Sequence, residues 1–149
     1  MKNKNTPDPD AVLFLVSRLQ ERAFRFISSE LKNRGIKGIE PSHGVIIRQL
    51  SIHGPLSMSR LAQLIDRTKP TVSVLIKKME NHGYVKRVPD PDDNRVTIVQ
   101  LTGKAIDLNE EFRQVSKLMR ERIFGGFSPA ERLMFAEYLE RAIGNFKGK

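Results

Sequence analysis

The feature that most constrains this chain is a change of hydrophobic period within residues 57–102, where helical spacing gives way to strict alternation. One helical pattern begins at Ser57, and a second runs from Thr68 to about His82. Apolar residues at three- and four-residue steps are typical of amphipathic helices, and both starting residues have hydroxyls that can cap a helix. Gly83 follows the second pattern, where a left-handed residue commonly ends a helix. These residues predict two consecutive helices joined by a short turn.

Two alternating segments follow these helices. Residues 84–88 and 96–101 alternate between apolar and polar side chains, and the second segment is rich in β-branched residues. Between them lies Pro-Asp-Pro-Asp-Asp-Asn, residues 89–94, which is dense in turn formers. Two strands around a polar loop form a β-hairpin. A hairpin directly after a helix-turn-helix is the wing of a winged helix-turn-helix, a fold whose second helix enters the major groove of DNA.

The second helix of this pair has one face suited to DNA. Its apolar stripe consists of Val72, Leu75, Ile76 and Met79. The residues directed away from that stripe are Lys69, Thr71, Ser73, Val74, Lys77 and Lys78. Hydroxyls and long cations are the groups that reach base edges and phosphates. The alternative interpretation is an ordinary solvated face whose lysines keep the protein soluble.

The tip of the hairpin ends in Arg95. A narrow minor groove has an enhanced negative potential that attracts arginine, so this side chain is placed to enter it. Asp93 is expected either to pair with Arg95 or to hold the shape of the tip. Because acids facing DNA would be repelled, we expect most of the acids at Asp90, Asp92 and Asp93 to point inward or sideways. In the alternative interpretation these acids only form the turn.

Helical patterns also flank this region. The first covers residues 11–33, with Asp10 as its expected N-cap. Its apolar surface is wider than one core contact needs, because Leu13, Phe14 and Phe24 lie off the main stripe.

Three further helices are expected outside the pair. Ser42 is predicted to cap one that reaches about His53, and its inward residues are expected to be Val45, Ile46 and Leu50. A long helix is predicted from Thr102 to about Phe124. The last helix begins at residues 128–131, where a serine and a glutamate three residues later form a capping box.

Composition limits the partners and excludes several chemistries. The chain has 26 Lys and Arg against 17 Asp and Glu, a net charge of +9, and such an excess favours a polyanionic partner such as nucleic acid. The absence of cysteine excludes a disulfide framework, a thiol nucleophile and a thiolate zinc site, and it fits a reducing cytoplasm. Because His43, His53 and His82 lack the spacing of helical metal ligands, we expect no metal and no cofactor.

Motif content and hydropathy exclude two further classes. The sequence has no nucleophile elbow, phosphate-binding glycine loop or dinucleotide motif, so we expect no enzyme and no catalytic residue. No apolar run approaches the roughly 20 residues of a membrane span, and the N-terminus lacks the pattern of a signal peptide. We therefore expect a cytoplasmic protein without a membrane partner.

The residues that carry these patterns resemble the multiple antibiotic resistance regulator (MarR) family. The matching motifs are Leu61-Ala62, Thr71-Val72-Ser73, Leu75-Ile76, Met79-Glu80, Gly83-Tyr84-Val85, Asp93-Asn94-Arg95 and Leu101-Thr102. The flanking helices also lie where that family has its dimerisation helices. Three places depart from the family pattern. Asp66 replaces a common glycine in the turn, Val74 replaces a residue that is often polar or basic, and residues 103–105 replace the usual Glu-Lys-Gly. Val74 is able to touch a thymine methyl, which leaves the base preference open.

The resemblance implies a mainly α-helical fold with a small β-hairpin wing, and a homodimer that binds a pseudo-palindromic operator. It divides the chain into a mobile N-terminal tail (residues 1–9), an N-terminal dimerisation helix and loop (10–41), a winged helix-turn-helix DNA-binding lobe (42–102) and C-terminal helices (103–149). The expected major-groove residues are Thr68, Lys69, Pro70, Thr71, Ser73, Val74, Lys77 and Lys78. The expected wing residues are Lys86, Arg87, Asp93 and Arg95. The expected dimer residues are Leu13, Phe14, Leu15, Leu133, Phe135, Leu139, Ile143 and Phe146.

The resemblance also implies a repressor that a small aromatic or phenolic ligand releases from DNA. Family members often bind such effectors in a cleft between the dimer helices and the DNA-binding lobe. The residues expected near this cleft are Phe26, His43, Ile46, Ile47 and Arg113, which are alternatively plain core or surface residues. Two other functions also stay open: a weakly specific architectural DNA-binding protein, and a winged helix that contacts other proteins.

Overall fold

The computed structural model describes residues 8–146, which are mainly helical. The α-helices are α1 (Val12–Asn33), α2 (Gly44–His53), α3 (Met58–Leu64), α4 (Lys69–Asn81), α5 (Gly103–Asp107), α6 (Asn109–Ile123) and α7 (Pro129–Gly144). Short 3₁₀ turns precede α1 at Pro9–Ala11 and α2 at Pro41–His43. The strands are β1 (Leu56–Ser57), β2 (Val85–Pro89) and β3 (Thr97–Leu101). No helix in residues 8–146 is long and apolar enough to cross a membrane.

The predicted hairpin is part of a three-stranded antiparallel sheet in the order β1-β3-β2. In the hairpin, Val85 is paired with Leu101 and Pro89 with Thr97. The extra strand β1 is only two residues long, with Leu56 paired with Val99. Because α3 begins at the residue after β1, this pairing fixes the start of the helix pair to the wing, which we define as residues 85–101.

One hydrophobic cluster joins the helix pair to the sheet. Its most deeply buried residues include Leu61 on α3, Ile76 and Met79 on α4, and Val99 on β3, each with 0% of its surface exposed. Ala62 is also buried, as expected of a small residue that lets two helices approach closely. The ring of Tyr84 completes the cluster, and its hydroxyl donates to the carbonyl of Lys37.

A charged contact also connects α4 to the wing. The Arg87 guanidinium donates to Glu80 through Nε at 3.0 Å and Nη2 at 2.6 Å. The Arg87 backbone N–H donates to the same carboxylate at 3.3 Å. The side-chain hydrogen bond from Arg87 holds the pKa of Glu80 below its ordinary value. The pair therefore links the last turn of α4 to strand β2.

Two of the expected helix caps are wrong, namely Asp10 before α1 and Ser42 before α2. Asp8, not Asp10, acts as a cap, because its carboxylate accepts the Asp10 backbone N–H at 3.1 Å. Pro9 belongs to the 3₁₀ turn that this cap begins rather than to the tail, and residues 1–7 of the expected tail lie outside the described residues. Ser42 lies inside the 3₁₀ turn before α2 and does not cap it. His43 Nδ1 instead accepts the Glu40 backbone N–H at 3.1 Å.

Two other helices also differ from expectation. Helix α2 buries different residues, and the fifth predicted helix is interrupted. Val45 is 41% exposed and Ile47 is buried, because the buried stripe consists of His43, Ile46, Ile47 and Leu50 at three- and four-residue steps and Val45 lies off it. The long helix after Thr102 is interrupted at Leu108, which separates α5 from α6. Asp107 and Asn109 flank the break, and such residues hydrogen-bond in ways that compete with helical backbone. The caps at Ser57, Thr68, Thr102 and Ser128 are confirmed.

Ile76 and Val74 lie on opposite faces of α4, so their truncation has different consequences. We expect Ile76→Ala to lower the free energy of unfolding by about 2–5 kcal/mol, because it opens a cavity in the buried cluster. Val74→Ala removes a side chain that is 59% exposed and should change it by less than about 0.5 kcal/mol. Urea denaturation of the two variants tests this, and an equal loss in both would contradict the burial of Ile76.

The Glu80–Arg87 pair predicts a pH-dependent contribution to stability. Glu80→Gln should lower the free energy of unfolding by about 0.5–1 kcal/mol at neutral pH, because it removes a charged, partly exposed pair. Because the pKa of Glu80 is lower in the folded state, the ion pair stabilises the fold at pH values above the ordinary pKa of glutamate, about 4.3. This stabilisation is lost as the pH falls through the pKa of Glu80 in the folded state. The difference between wild type and variant should therefore vanish in acid.

Urea denaturation of both proteins over a pH series measures this difference. Glu21→Gln is a suitable control, because Glu21 pairs with Arg25 on a single helix with both side chains well exposed, and its loss should have little effect. A Glu80→Gln deficit that is the same at every pH would contradict the prediction.

Candidate nucleic-acid interface

The N-terminus of α4 is held by a tight turn and a hydroxyl cap. Asp66 occupies the turn with φ of 51°, a left-handed conformation that aspartate tolerates better than most residues. The Arg67 backbone N–H closes the turn on the carbonyl of Ala62 at 3.0 Å. Thr68 Oγ1 accepts the Thr71 backbone N–H at 3.4 Å. Pro70 lies in the first helical turn, where a missing N–H leaves no hydrogen bond unmade.

The face of α4 opposite the core is exposed along its whole length. Val72, Ile76 and Met79 are fully buried. The exposed residues are Lys69, Pro70, Thr71, Val74, Lys77 and Lys78, and Ser73 is half-buried at the edge of this face. We call these seven residues, together with Thr68, the α4 face. The structure therefore brings the expected major-groove residues together on one surface.

Three groups on the α4 face already have partners in the protomer. Lys78 Nζ lies 3.6 Å from Glu40 Oε1. The hydroxyls of Thr68 and Thr71 are 2.9 Å apart and share a hydrogen bond. Within residues 8–146 Lys77 forms no ion pair, so its ammonium group is available to a partner.

The wing tip exposes Arg95 and Asp92, whereas the carboxylates of Asp90 and Asp93 form hydrogen bonds within the tip. The Arg95 side chain is 90% exposed. Its Nε and Nη2 donate to Asp93 at 3.0 and 3.2 Å, and these hydrogen bonds lower the pKa of the Asp93 carboxyl. Asp90 accepts the backbone N–H groups of Asp92 and Asp93 at 2.8 and 3.2 Å. Asp93 thus both pairs with Arg95 and holds the tip, and Asp90 shapes the turn.

The two other wing residues have different surroundings. Arg87 is engaged by Glu80 on α4, so its guanidinium acts within the protomer and is only 37% exposed. Sequence reasoning missed this role of Glu80, although the opposite charges on either side of the Gly83 turn were a signal for it. Lys86 is exposed on β2 and lines an open cavity of about 520 Å³ with Leu50 and Ile106.

The expected dimer residues lie mainly on exposed apolar surface. Leu13 is 77% exposed, Leu133 71% and Phe146 90%. Phe14, Leu15 and Ile143 are also exposed, whereas Phe135 and Leu139 are half-buried. The Phe135 ring packs edge-on against Phe124 and Phe127, with ring centres about 6 Å apart. These aromatic contacts attach the start of α7 to the end of α6.

The expected effector residues are dispersed between core and surface. Ile46 and Ile47 belong to the hydrophobic cluster. Arg113 is exposed, and its Nη1 lies 3.9 Å from Oε2 of Glu110. Phe26 is half-buried, with the Arg122 guanidinium 5.2 Å from the centre of its ring. His43 is buried, and its Nε2 has no hydrogen-bond partner within the described residues. Burial lowers the pKa of His43, so the neutral imidazole is favoured. No cluster of metal-ligating side chains is present in residues 8–146.

Comparisons with known proteins agree with this geometry. The MarR family model matches residues 39–97, which contain the helix pair and most of the wing. The uncharacterized HTH-type transcriptional regulator YkoM of Bacillus subtilis is 25% identical over 126 residues, 84% of this chain and 82% of the relative. The HTH-type transcriptional repressor IacR of Pseudomonas putida is 26% identical over 98 residues, 66% of this chain and 59% of the relative.

Solved structures of the same fold cover nearly the whole chain. The PcaV transcriptional regulator of Streptomyces coelicolor, in complex with its natural ligand, superposes with a TM-score of 0.81 at 14% identity, over 93% of this chain and 96% of that one. The MepR–DNA complex of S. aureus gives 0.80 at 22% identity, over 91% and 98%. The chain thus contains a MarR family domain within a winged helix-turn-helix fold, and its relatives are HTH-type transcriptional regulators.

Proposed function

We propose that this protein binds a pseudo-palindromic operator in double-stranded DNA as a homodimer and represses transcription in the cytoplasm. The observation that carries the proposal is the exposed α4 face next to a wing whose Arg95 is 90% exposed. A helix is the element that fits the major groove, and an exposed arginine is the group that suits the minor groove. The winged helix-turn-helix lobe, residues 42–102, supplies both.

Each part of the lobe has a separate task in this proposal. The α4 face lies in the major groove and reads base edges near the N-terminal end of the helix. Lys77 and Lys78 neutralise phosphates, and Lys78 has to exchange Glu40 for DNA to do so. Arg95 enters the adjacent minor groove from the wing, while Asp93 orients its guanidinium. Arg87 supports the wing through Glu80 rather than contacting DNA.

Dimerisation explains the apolar surface at both ends of the chain. The N-terminal half of α1 exposes Val12, Leu13 and Phe14 in succession, and α7 exposes Leu133 and Ile143. Contiguous exposed apolar patches mark interaction sites. Residues 10–41 and 103–149 would interlock with the same residues of a second copy across a two-fold axis. Two α4 helices would then face half-sites about 34–36 Å apart.

Repression and its release by a small molecule are proposed from the relatives. IacR is named a repressor, and PcaV is described in complex with its natural ligand. In this chain a small aromatic or phenolic ligand would lie between α1, α2 and α6, next to Phe26 and Arg113. Ile46 and Ile47 of α2 are also expected near such a ligand, and both are buried in the protomer. Contact between these residues and an effector stays a prediction.

Operator binding should depend on Arg95 and Lys77. We expect a site selected from random duplex DNA by the full-length protein to bind Arg95→Ala and Lys77→Ala roughly tenfold more weakly or worse, because each dimer loses two cationic contacts. If Lys77 contacts only phosphate, its loss should reduce the slope of log affinity against log salt by about two per dimer. Fluorescence anisotropy titrations at several salt concentrations measure both quantities.

Lys117→Ala is the matched control, because it removes the same charge from α6, outside the lobe. It should leave affinity and salt slope near the wild-type values. Wild-type affinities that are equal for the selected site and for an unrelated duplex would favour an architectural protein. No binding to any duplex would favour a protein-contact module.

The proposed dimer interface predicts an assembly-deficient variant. Leu133→Glu places a charge on a residue that is exposed in the protomer but buried in the proposed dimer, so it should shift the protein to monomer without unfolding the lobe. Sedimentation equilibrium measures the assembly state, and circular dichroism measures helix content. Ile52→Glu changes a similarly exposed residue, 61% against 71%, outside the proposed interface, and this variant should remain dimeric. A monomeric wild type, or a dimeric Leu133→Glu, would contradict the interface.

A further inference from the structure

We propose that Val74 selects a thymine in each operator half-site by packing against its 5-methyl group. The inference rests on the proposed operator binding and adds to it the base feature that this chain reads at the centre of α4. Val74 is exposed in the middle of the α4 face, where every other side chain except that of Pro70 is polar or cationic.

Helical geometry places Val74 at the centre of the α4 face. Each residue advances about 100° around a helix. Pro70, Thr71, Lys77 and Lys78 therefore lie within about 60° of Val74 on either side. The fully buried Val72, Ile76 and Met79 lie on the far side. When α4 enters a groove with its buried side toward the protein, Val74 is the side chain that points most directly at the base edges.

The core does not require a valine at this position. Its side chain is 59% exposed, and a β-branched residue is slightly unfavourable in a helix. Neither packing nor helix propensity therefore accounts for this residue. Contact with an apolar group outside the protomer does account for it.

The chemistry of the major groove offers one partner for such a side chain. Valine has no hydrogen-bond donor or acceptor in its side chain, so it cannot replace the water on amino, carbonyl or ring-nitrogen groups. The 5-methyl of thymine is the apolar feature exposed on base edges in the major groove. Burying it against Val74 removes apolar surface from water on both sides.

The neighbours of Val74 are suited to other tasks. The Thr71 hydroxyl is engaged by Thr68 at 2.9 Å. Lys77 and Lys78 flank Val74 on opposite sides with long side chains, which suits them to the two phosphate backbones that border the groove. The central position is thus left to read an apolar feature of a base, and Lys77 and Lys78 hold the helix in place.

Removing single methyl groups from the DNA tests the inference. The operator is first selected from random duplexes with the full-length protein. Each thymine is then replaced in turn by deoxyuridine, symmetrically in both half-sites, and affinity is measured by fluorescence anisotropy at fixed salt. One thymine per half-site should show a loss of roughly fourfold per half-site, or on the order of fifteenfold for both, as expected from one buried methyl each.

Two variants show whether Val74 is the residue responsible. Val74→Ala should bind more weakly and lose most of the deoxyuridine effect at that position, because the methyl then has no partner. Lys77→Ala is the matched control on the same face. It should weaken binding to every duplex alike and keep the full deoxyuridine effect. Replacing a cytosine of a non-selected base pair at that position by 5-methylcytosine should recover part of the affinity of the wild type and none in Val74→Ala.

The outcomes separate this inference from the function on which it rests. A wild type that distinguishes the operator from unrelated DNA while Val74→Ala retains the deoxyuridine effect overturns the role of Val74 and leaves operator binding standing. A selected operator without a sensitive thymine overturns it in the same way. A wild type that does not distinguish operator from random duplex overturns the proposed function itself.

Discussion

The burial of one stripe of α4 determines how the rest of the lobe is arranged. Val72, Ile76 and Met79 are packed in the cluster that includes Leu61 and Val99. Because a helix is rigid and its side chains radiate at fixed angles, burial of this stripe decides which residues face outward. Any rotation of α4 about its axis would expose the stripe to water and bury a lysine. The orientation of the α4 face is therefore set by the hydrophobic effect and does not depend on the presence of DNA.

The position of α4 also determines the position of the wing, because an ion pair and hydrogen bonds connect the two. Glu80 and Arg87 join the last turn of α4 to β2. Thr102 donates its hydroxyl to the carbonyl of Gly83 and its backbone N–H to that of Tyr84, so the end of β3 is also tied to the turn after α4. A wing attached at both of its strands cannot shift far without α4. If Arg95 contacts the minor groove while Val74 contacts the adjacent major groove, the protomer itself would then fix the distance between these two contacts.

Features that depend on a few neighbouring residues could be predicted from the sequence, and features that depend on distant ones could not. The caps at Ser57, Thr68 and Ser128 follow from residues three positions apart, and the α4 stripe follows from its period. Strand β1 has too few residues to show alternation, so only its partner β3 reveals it. The partner of Arg87 was missed because the pairing needs the geometry of the turn between α4 and β2. The expected dimer surface becomes buried only against a second copy, so its burial does not follow from one protomer.

In the proposed function, the acids near the interface would affect specificity as well as shape. Three cations of the lobe have a carboxylate partner: Lys78 has Glu40, Arg87 has Glu80, and Arg95 has Asp93. A paired cation contributes less to the long-range field, and it releases a DNA counterion only if the phosphate competes with the acid. Such pairing lowers the affinity for an arbitrary duplex more than it lowers the affinity for a well-fitted site, where short contacts with DNA replace the contact with the acid. In the proposed function, discrimination would then depend on uncharged contacts at base edges, and the proposed contact of Val74 with a thymine methyl group is one of these.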